Sequence, residues 1–197
     1  MVGMLTFILA VAALLSVPGP TNTLLAASGA AIGIRRSLFL IPAEVFGYII
    51  AVGFFLIIVG PLSASYPIIP LALKLVASAY LVFAAVKLWR NGSAEIISVP
   101  RPASPGRLFL ATLLNPKALI FAFVIFPQTG LMTLAPNAAV FAGLIAVIGS
   151  GWITLGNTVA RSAAGTATPK RILRLTAIAL GIFATMIASF AIAGALH

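Results

Sequence analysis

The residues able to do chemistry in this chain fall in three short places. The first is Pro18-Gly19-Pro20-Thr21-Asn22, and the second is Asn115-Pro116-Lys117. The third is Glu44, alone in an apolar stretch. Proline removes a backbone donor and frees the carbonyl one turn earlier. A half-helix that starts after such a break presents N–H groups and a positive dipole end. A carboxylate suits that end. Thr21, Asn22 and Asn115 add neutral hydrogen-bonding groups, and Lys117 adds a fixed positive charge. Glu44 supplies a carboxylate that can carry a proton, hold a cation or meet an amine.

The rest of the inventory closes off most enzyme chemistry. There is no cysteine, so there is no thiol nucleophile and no zinc–thiolate site. The single histidine is the last residue, His197. Histidine-based triads and HExxH metal sites need one inside the fold. The only carboxylates are Glu44 and Glu95. The expectation is therefore no enzyme, no resident metal and no cofactor.

The elements that must position these residues are membrane helices. Hydrophobic residues make up 62% of the 197 positions and charged ones 7%. A soluble domain carries about 25% charged residues, and a chain this size has no core large enough to hide so much apolar surface. Residues 1–34 carry no charge. Met1–Val17 lacks the basic start of a signal peptide and reads as a first transmembrane helix broken by Pro18 and Pro20. Leu38–Gly60, Pro67–Leu88, Leu108–Phe126, Ala138–Ala160 and Leu175–Leu196 follow as apolar runs. Each is near the ~20 residues that cross a bilayer core. None alternates in polarity as barrel strands do.

Charge orients the spans. Arg35 and Arg36 lie in the first connection, Lys87, Arg90, Arg101 and Arg107 about the third, and Arg161, Lys170, Arg171 and Arg174 in the fifth. Pro61–Tyr66 and Gln128–Asn137 carry none. The positive-inside rule makes connections one, three and five cytoplasmic and both termini external. Orientation accounts for the basic residues, and nothing resembles a nucleic-acid stripe with interleaved aromatics.

The organisation follows from the breaks. Pro20 and Pro116 lie 96 residues apart, close to half the chain. Three helices per half is an odd number, so a duplicated unit enters the membrane the other way up the second time. The expected fold class is an all-α integral membrane protein, with six transmembrane helices in two inverted three-helix repeats and proline-broken first helices. Residues 1–89 form the first repeat, 90–106 a proline-rich cytoplasmic linker and 107–197 the second repeat. The plainer reading of the breaks is a pair of kinks satisfied by neighbouring helices.

Glu44 lies roughly two helical turns past Arg36. A charge near the bilayer centre costs ~2.5–3.5 kcal/mol even on insertion scales, so such groups face a cavity, pair or take up a proton. The functional reading is a proton-coupling or cation-binding group, and Pro42 loosens the helix beside it. The structural reading is a hydrogen bond from the protonated acid, with Tyr48 at i+4 as its partner. Lys74 reads as snorkelling to the outer face. Gly29-x-x-x-Gly33 suggests close helix packing. Trp152 reads equally as an interfacial anchor or as packing.

At the Pro-Gly-Pro and Asn-Pro-Lys motifs the chain resembles the LysE/RhtB family of amino-acid exporters. Gly33-Ile34-Arg35-Arg36 is similar to the family's Gly-x-Arg-Arg loop. Lys74-Leu75-Val76-Ala77-Ser78-Ala79-Tyr80-Leu81 is similar to its Lys-Leu-x-Gly-Ala-x-Tyr-Leu stretch, with Ala77 in the glycine position. Leu113-Leu114-Asn115-Pro116-Lys117-Ala118, followed by Phe126-Pro127-Gln128, resembles its fourth-helix signature, and Trp152-x-x-x-Gly156 also fits. There are departures. The family's Pro-Gly-Pro-Asn is here Pro-Gly-Pro-Thr-Asn, and Pro42, Ala43 and Glu44 stand where spaced glycines are usual.

The resemblance implies a proton-driven secondary exporter of an amino acid or related small solute, multi-pass in a bacterial inner membrane. Substrate would bind at Pro18, Gly19, Pro20, Thr21, Asn22, Asn115, Pro116 and Lys117, with Glu44 as the coupling group. Its partners would be the substrate, protons and the lipid bilayer, without nucleic acid. A homodimer is compatible with the sequence, although no residue pattern demands one. The alternative expectation is a non-transporting membrane assembly or signalling protein, which predicts broken helices with no aqueous cavity between them.

Overall fold

The computed structural model describes residues 3–66, 68–91, 102–127 and 131–161, with positions 178, 181, 185, 188 and 189 beyond them. Among these residues every regular element is helical. Helix α1 (Met4–Ser16) and helix α2 (Pro20–Ile32) form a broken pair bent by 65°. Helix α3 runs over Ile34–Leu62, and helix α4 over Ile68–Asn91. Helices α5 (Pro105–Leu113) and α6 (Lys117–Ile125) form a second broken pair, bent by 51°. Helix α7 is Leu131–Arg161.

Two of these segments, Ile34–Leu62 and Leu134–Arg161, are each long and apolar enough to cross a membrane. Counting each bent pair as one span gives up to four among the described residues. The expected third span falls on α4, whose apolar stretch is Leu71–Tyr80. Of the expected sixth span only the scattered positions are described, and most of the linker lies outside the described residues.

Helix α3 has the reversed amphipathicity of a membrane helix. Ile41, Glu44, Tyr48, Ala51 and Val52 are buried, while Phe39, Phe46, Ile50, Phe54 and Ile57 are exposed. Hydrocarbon solvates the apolar face, so the few polar groups turn inward. A tight turn at Leu38–Leu40 precedes Pro42, which sits in the first turn of the regular helix, where a missing N–H costs little. The residues Phe55–Val59 form a wider π-helical turn further along.

The closest helix contact is α2 against α7. Gly29 lies directly against the main chain of Ile153, and Gly156 directly against that of Ala26. Small residues let membrane helices pack backbone to backbone. The expected Gly29/Gly33 pair does not do this together. Gly33 instead ends α2 with φ 82°, the left-handed region, and turns the chain into α3. Trp152 is partly buried and packs on the cluster containing Leu24, Leu25 and Ile153.

Two apolar clusters flank the breaks. Residues of α1 before the first break join those after the second, with Phe7, Phe121, Phe126 and Phe141 edge to face at 4.8–5.3 Å. The other cluster joins Leu24 and Leu25 to Leu40, Ile41, Leu108 and Ile153.

Candidate functional site

The polar residues of the two breaks meet between those clusters. Thr21, Asn22, Glu44, Asn115 and Lys117 are each no more than 3% exposed, and Tyr48 is fully buried. They come from α2, α3 and the α5–α6 junction, so three elements must pack before the cluster exists.

The first break begins where α1 runs into Val17-Pro18-Gly19. Pro18 and Pro20 lack the N–H groups that would continue the ladder, and Pro20 starts α2 at its first turn. The break leaves carbonyls without helical partners. The Asn22 amide donates from Nδ2 to the carbonyl oxygens of Leu15 and Val17, both at 2.7 Å. Asn22 reaches back across the break and closes it.

Asn115 plays the corresponding part at the second break. Its Oδ1 accepts from the Lys117 backbone N–H, the first of α6, at 3.0 Å. Its Nδ2 donates to Thr21 Oγ1 and to the Tyr48 hydroxyl, each at 3.1 Å. Asn115 therefore links both breaks and α3. The Lys117 ammonium donates to the Val17 carbonyl, adding a charged donor to an oxygen already held by Asn22. The end of the Lys117 side chain lies against Gly19, where a Cβ would be 3.4 Å from both Cε and Nζ.

Glu44 stands beside this network without joining it. Its Oε2 is buried and accepts no hydrogen bond. No ion pair within 4.0 Å joins it to Lys117, although the two charges attract each other. Tyr48 does not serve as the expected i+4 partner, because its hydroxyl faces Asn115 and Thr21. The carboxylate lies against Gly149 of α7, where a Cβ would come within 2.5 Å of Oε2. Lys74 lies among residues whose side chains are not described.

The arrangement brings together the residues expected from the sequence to bind substrate, the Pro18–Asn22 stretch, Asn115, Pro116 and Lys117, with Glu44 adjoining them. Sequence reasoning missed Tyr48 as the bridge to Asn115 and Gly149 as the residue that makes room for Glu44. Tyr48 carried a signal, since it lies one turn from Glu44 on the same face. Gly149 carried none, being one glycine among the 17 in the chain.

Chemically, the cluster offers one cation, one carboxylate with a free acceptor, two amides and two hydroxyls in a region walled from water. It has neither a paired nucleophile and base nor, among the described residues, a group of three or more metal-binding side chains. No curated protein and no solved structure matches the chain significantly. The family model for the LysE type translocator matches residues 12–194, which includes both breaks, Glu44 and the whole buried cluster. With its apolar spans and helical fold, the chain thus belongs to the LysE/RhtB family of multi-pass membrane transporters.

Proposed function

We propose that the protein exports an amino acid or a related small solute by proton-coupled secondary transport across a bacterial inner membrane. The observation that carries this reading is the meeting of the two broken helices. A single buried cluster sets a free carboxylate near a lysine that holds a backbone carbonyl. An amino acid has a carboxylate and an amine to exchange for just these groups. Its carboxylate displaces the Val17 carbonyl from Lys117, and Asn22 and Asn115 orient it. Glu44 takes the amine or a proton.

In this reading the chain has two inverted three-helix repeats, residues 1–89 and 107–197, joined by the linker 90–106. Alternating access rocks one against the other. The two apolar clusters act as its two gates. The aromatic group of Phe7, Phe126 and Phe141 closes one side, and the group of Leu25, Ile41, Leu108 and Ile153 closes the other. Both are packed here, as an occluded state requires.

Efflux from proteoliposomes tests this. Vesicles loaded with an amino-acid mixture receive a pH gradient, and the exterior is sampled by mass spectrometry. Selective, gradient-dependent loss of one or a few solutes is expected. No selective loss from folded protein, across a wider solute panel as well, would overturn it.

The burial of the cluster also fits the second reading, a non-transporting assembly or signalling protein whose broken helices are fixed. The chain has no native cysteine. Single cysteines placed at Thr21 and Asn115 separate the two readings. A transporter exposes them to aqueous reagents during turnover, whereas a fixed fold never does.

A further inference from the structure

A second polar feature lies away from the breaks, where α2 turns into α3 and meets the end of α7. A recess of about 400 Å³ opens there, lined by Gly33, Arg35, Arg36, Asn157 and Arg161 among others. Its shape comes from the left-handed turn at Gly33, which leads α2 into the first turn of α3. Asn157 stands behind that turn, its Oδ1 3.9 Å from where a Cβ of residue 33 would lie.

Three arginines line one recess, and no described carboxylate neutralises them. The chain has two carboxylate side chains. Glu44 is buried in the transport cluster, and Glu95 lies outside the described residues. Among the described residues, no ion pair to Arg35, Arg36 or Arg161 exists. Orientation by the positive-inside rule needs positive charge near the membrane end, but it does not need the charges to share a recess. Guanidinium groups bind phosphate oxygens through paired N–H donors.

The neighbouring surface decides which phosphate. Leu38 and Phe39 follow the arginine pair after the buried Ser37 and are both exposed, at the head of the apolar outer stripe of α3. A soluble anion gains nothing from that surface. A lipid headgroup held by the arginines lays its acyl chains along it. Basic pockets between helices at the cytoplasmic membrane surface suit anionic headgroups.

We propose that this recess binds the phosphodiester headgroup of an anionic phospholipid, with Arg35, Arg36 and Arg161 as its charged ligands and the Leu38–Phe39 face carrying the acyl chains. The site is separate from the substrate cluster and does not depend on which solute is transported. Lipid bound there bridges the start of α3 to the end of α7, close to the α2–α7 contact.

Native mass spectrometry of the full-length protein tests it, with phosphatidylglycerol and phosphatidylcholine of identical chains. Phosphatidylglycerol adducts should survive activation that strips phosphatidylcholine. Arg36→Gln and Arg161→Gln should each weaken that retention by about tenfold, the value of one charged hydrogen bond. Arg107→Gln, an exposed arginine outside the recess, should leave it unchanged. On the unaltered protein, phosphatidylglycerol should raise the unfolding temperature more than phosphatidylcholine does, a readout that needs no variant to fold. Equal retention or equal thermal shifts for the two lipids overturn the proposal. So does an equal effect of Arg107→Gln, which would mean general electrostatics. Displacement of the lipid by inorganic phosphate or by glycerophosphoglycerol at matching concentration also overturns it, in favour of a soluble-anion site.

Discussion

The ammonium of Lys117 donates to the carbonyl of Val17, 100 residues earlier in the chain. The charge in the second broken helix thus satisfies the backbone of the first. An unpaired carbonyl in hydrocarbon is costly, so the two breaks stabilise each other when they are closed together. In the proposed transport cycle, a ligand that takes Lys117 removes this tie between the two helix pairs, while Asn22 keeps its own bond to Val17. That proposal links binding and conformational change through this donor.

Lys117→Met tests that link. The variant loses the donor to Val17 and removes the cation nearest Glu44. Its stability should fall by ~1.5–3 kcal/mol, the value of a hydrogen bond to a charged group, and substrate affinity should fall with it. Adding Glu44→Gln should recover part of the stability, because no uncompensated carboxylate then remains. Thermal unfolding of both variants in detergent, with binding of the identified substrate, reads the outcome. Normal affinity in Lys117→Met would remove the carboxylate-anchor role.

Glu44→Gln should fold, since it replaces an unpartnered buried carboxylate by a neutral side chain of the same shape. It should abolish the dependence of efflux on the pH gradient, while substrate exchange between equal pH compartments continues. Efflux rates across a pH series, measured with and without the gradient, make the comparison. An unchanged pH dependence would assign coupling elsewhere.

Asn115→Ala should be more damaging than a typical surface change. It removes the acceptor for the first N–H of α6 and leaves Thr21 and Tyr48 without their shared donor. Unsatisfied buried groups cost ~1–3 kcal/mol each. Asn22→Ala should cost a similar amount through Leu15, with Val17 partly protected by Lys117. Melting temperatures of the two variants, and of the double variant, show whether the breaks behave as one coupled unit, which predicts a non-additive sum.

Gly149→Ala places a methyl group against the Glu44 carboxylate. The substitution should lower stability by ~1–3 kcal/mol, as for overpacking, and reduce efflux. Glu44→Ala in the same chain should remove the contact with Oε2 and recover part of the stability, since the methyl also meets Ile41 Cδ1 at 2.9 Å, though not pH coupling. At Gly29 and Gly156 the obstacle is main chain, which cannot swing away. Alanine at either should separate α2 from α7, and no single side-chain truncation should rescue it.

Much of this protein is legible along the chain. Hydropathy and charge, read residue by residue, mark it as a membrane protein and place the two breaks. A lone carboxylate in an apolar run marks Glu44, because few physical arrangements tolerate one. The Asn-Pro-Lys stretch carries the family resemblance that the match over residues 12–194 establishes. These are local signals, set by the solvation of single residues and by the missing donor of proline. What only the tertiary structure decided is how the marked residues meet. Tyr48 turned to Asn115 instead of Glu44, and Gly29 paired with the backbone of α7 instead of with Gly33. Lys117 closed on Val17, and Glu44 settled against Gly149. Each of these depends on the rotation and crossing of helices far apart in sequence, where close packing and the need to satisfy every buried backbone group select one arrangement that no local pattern encodes.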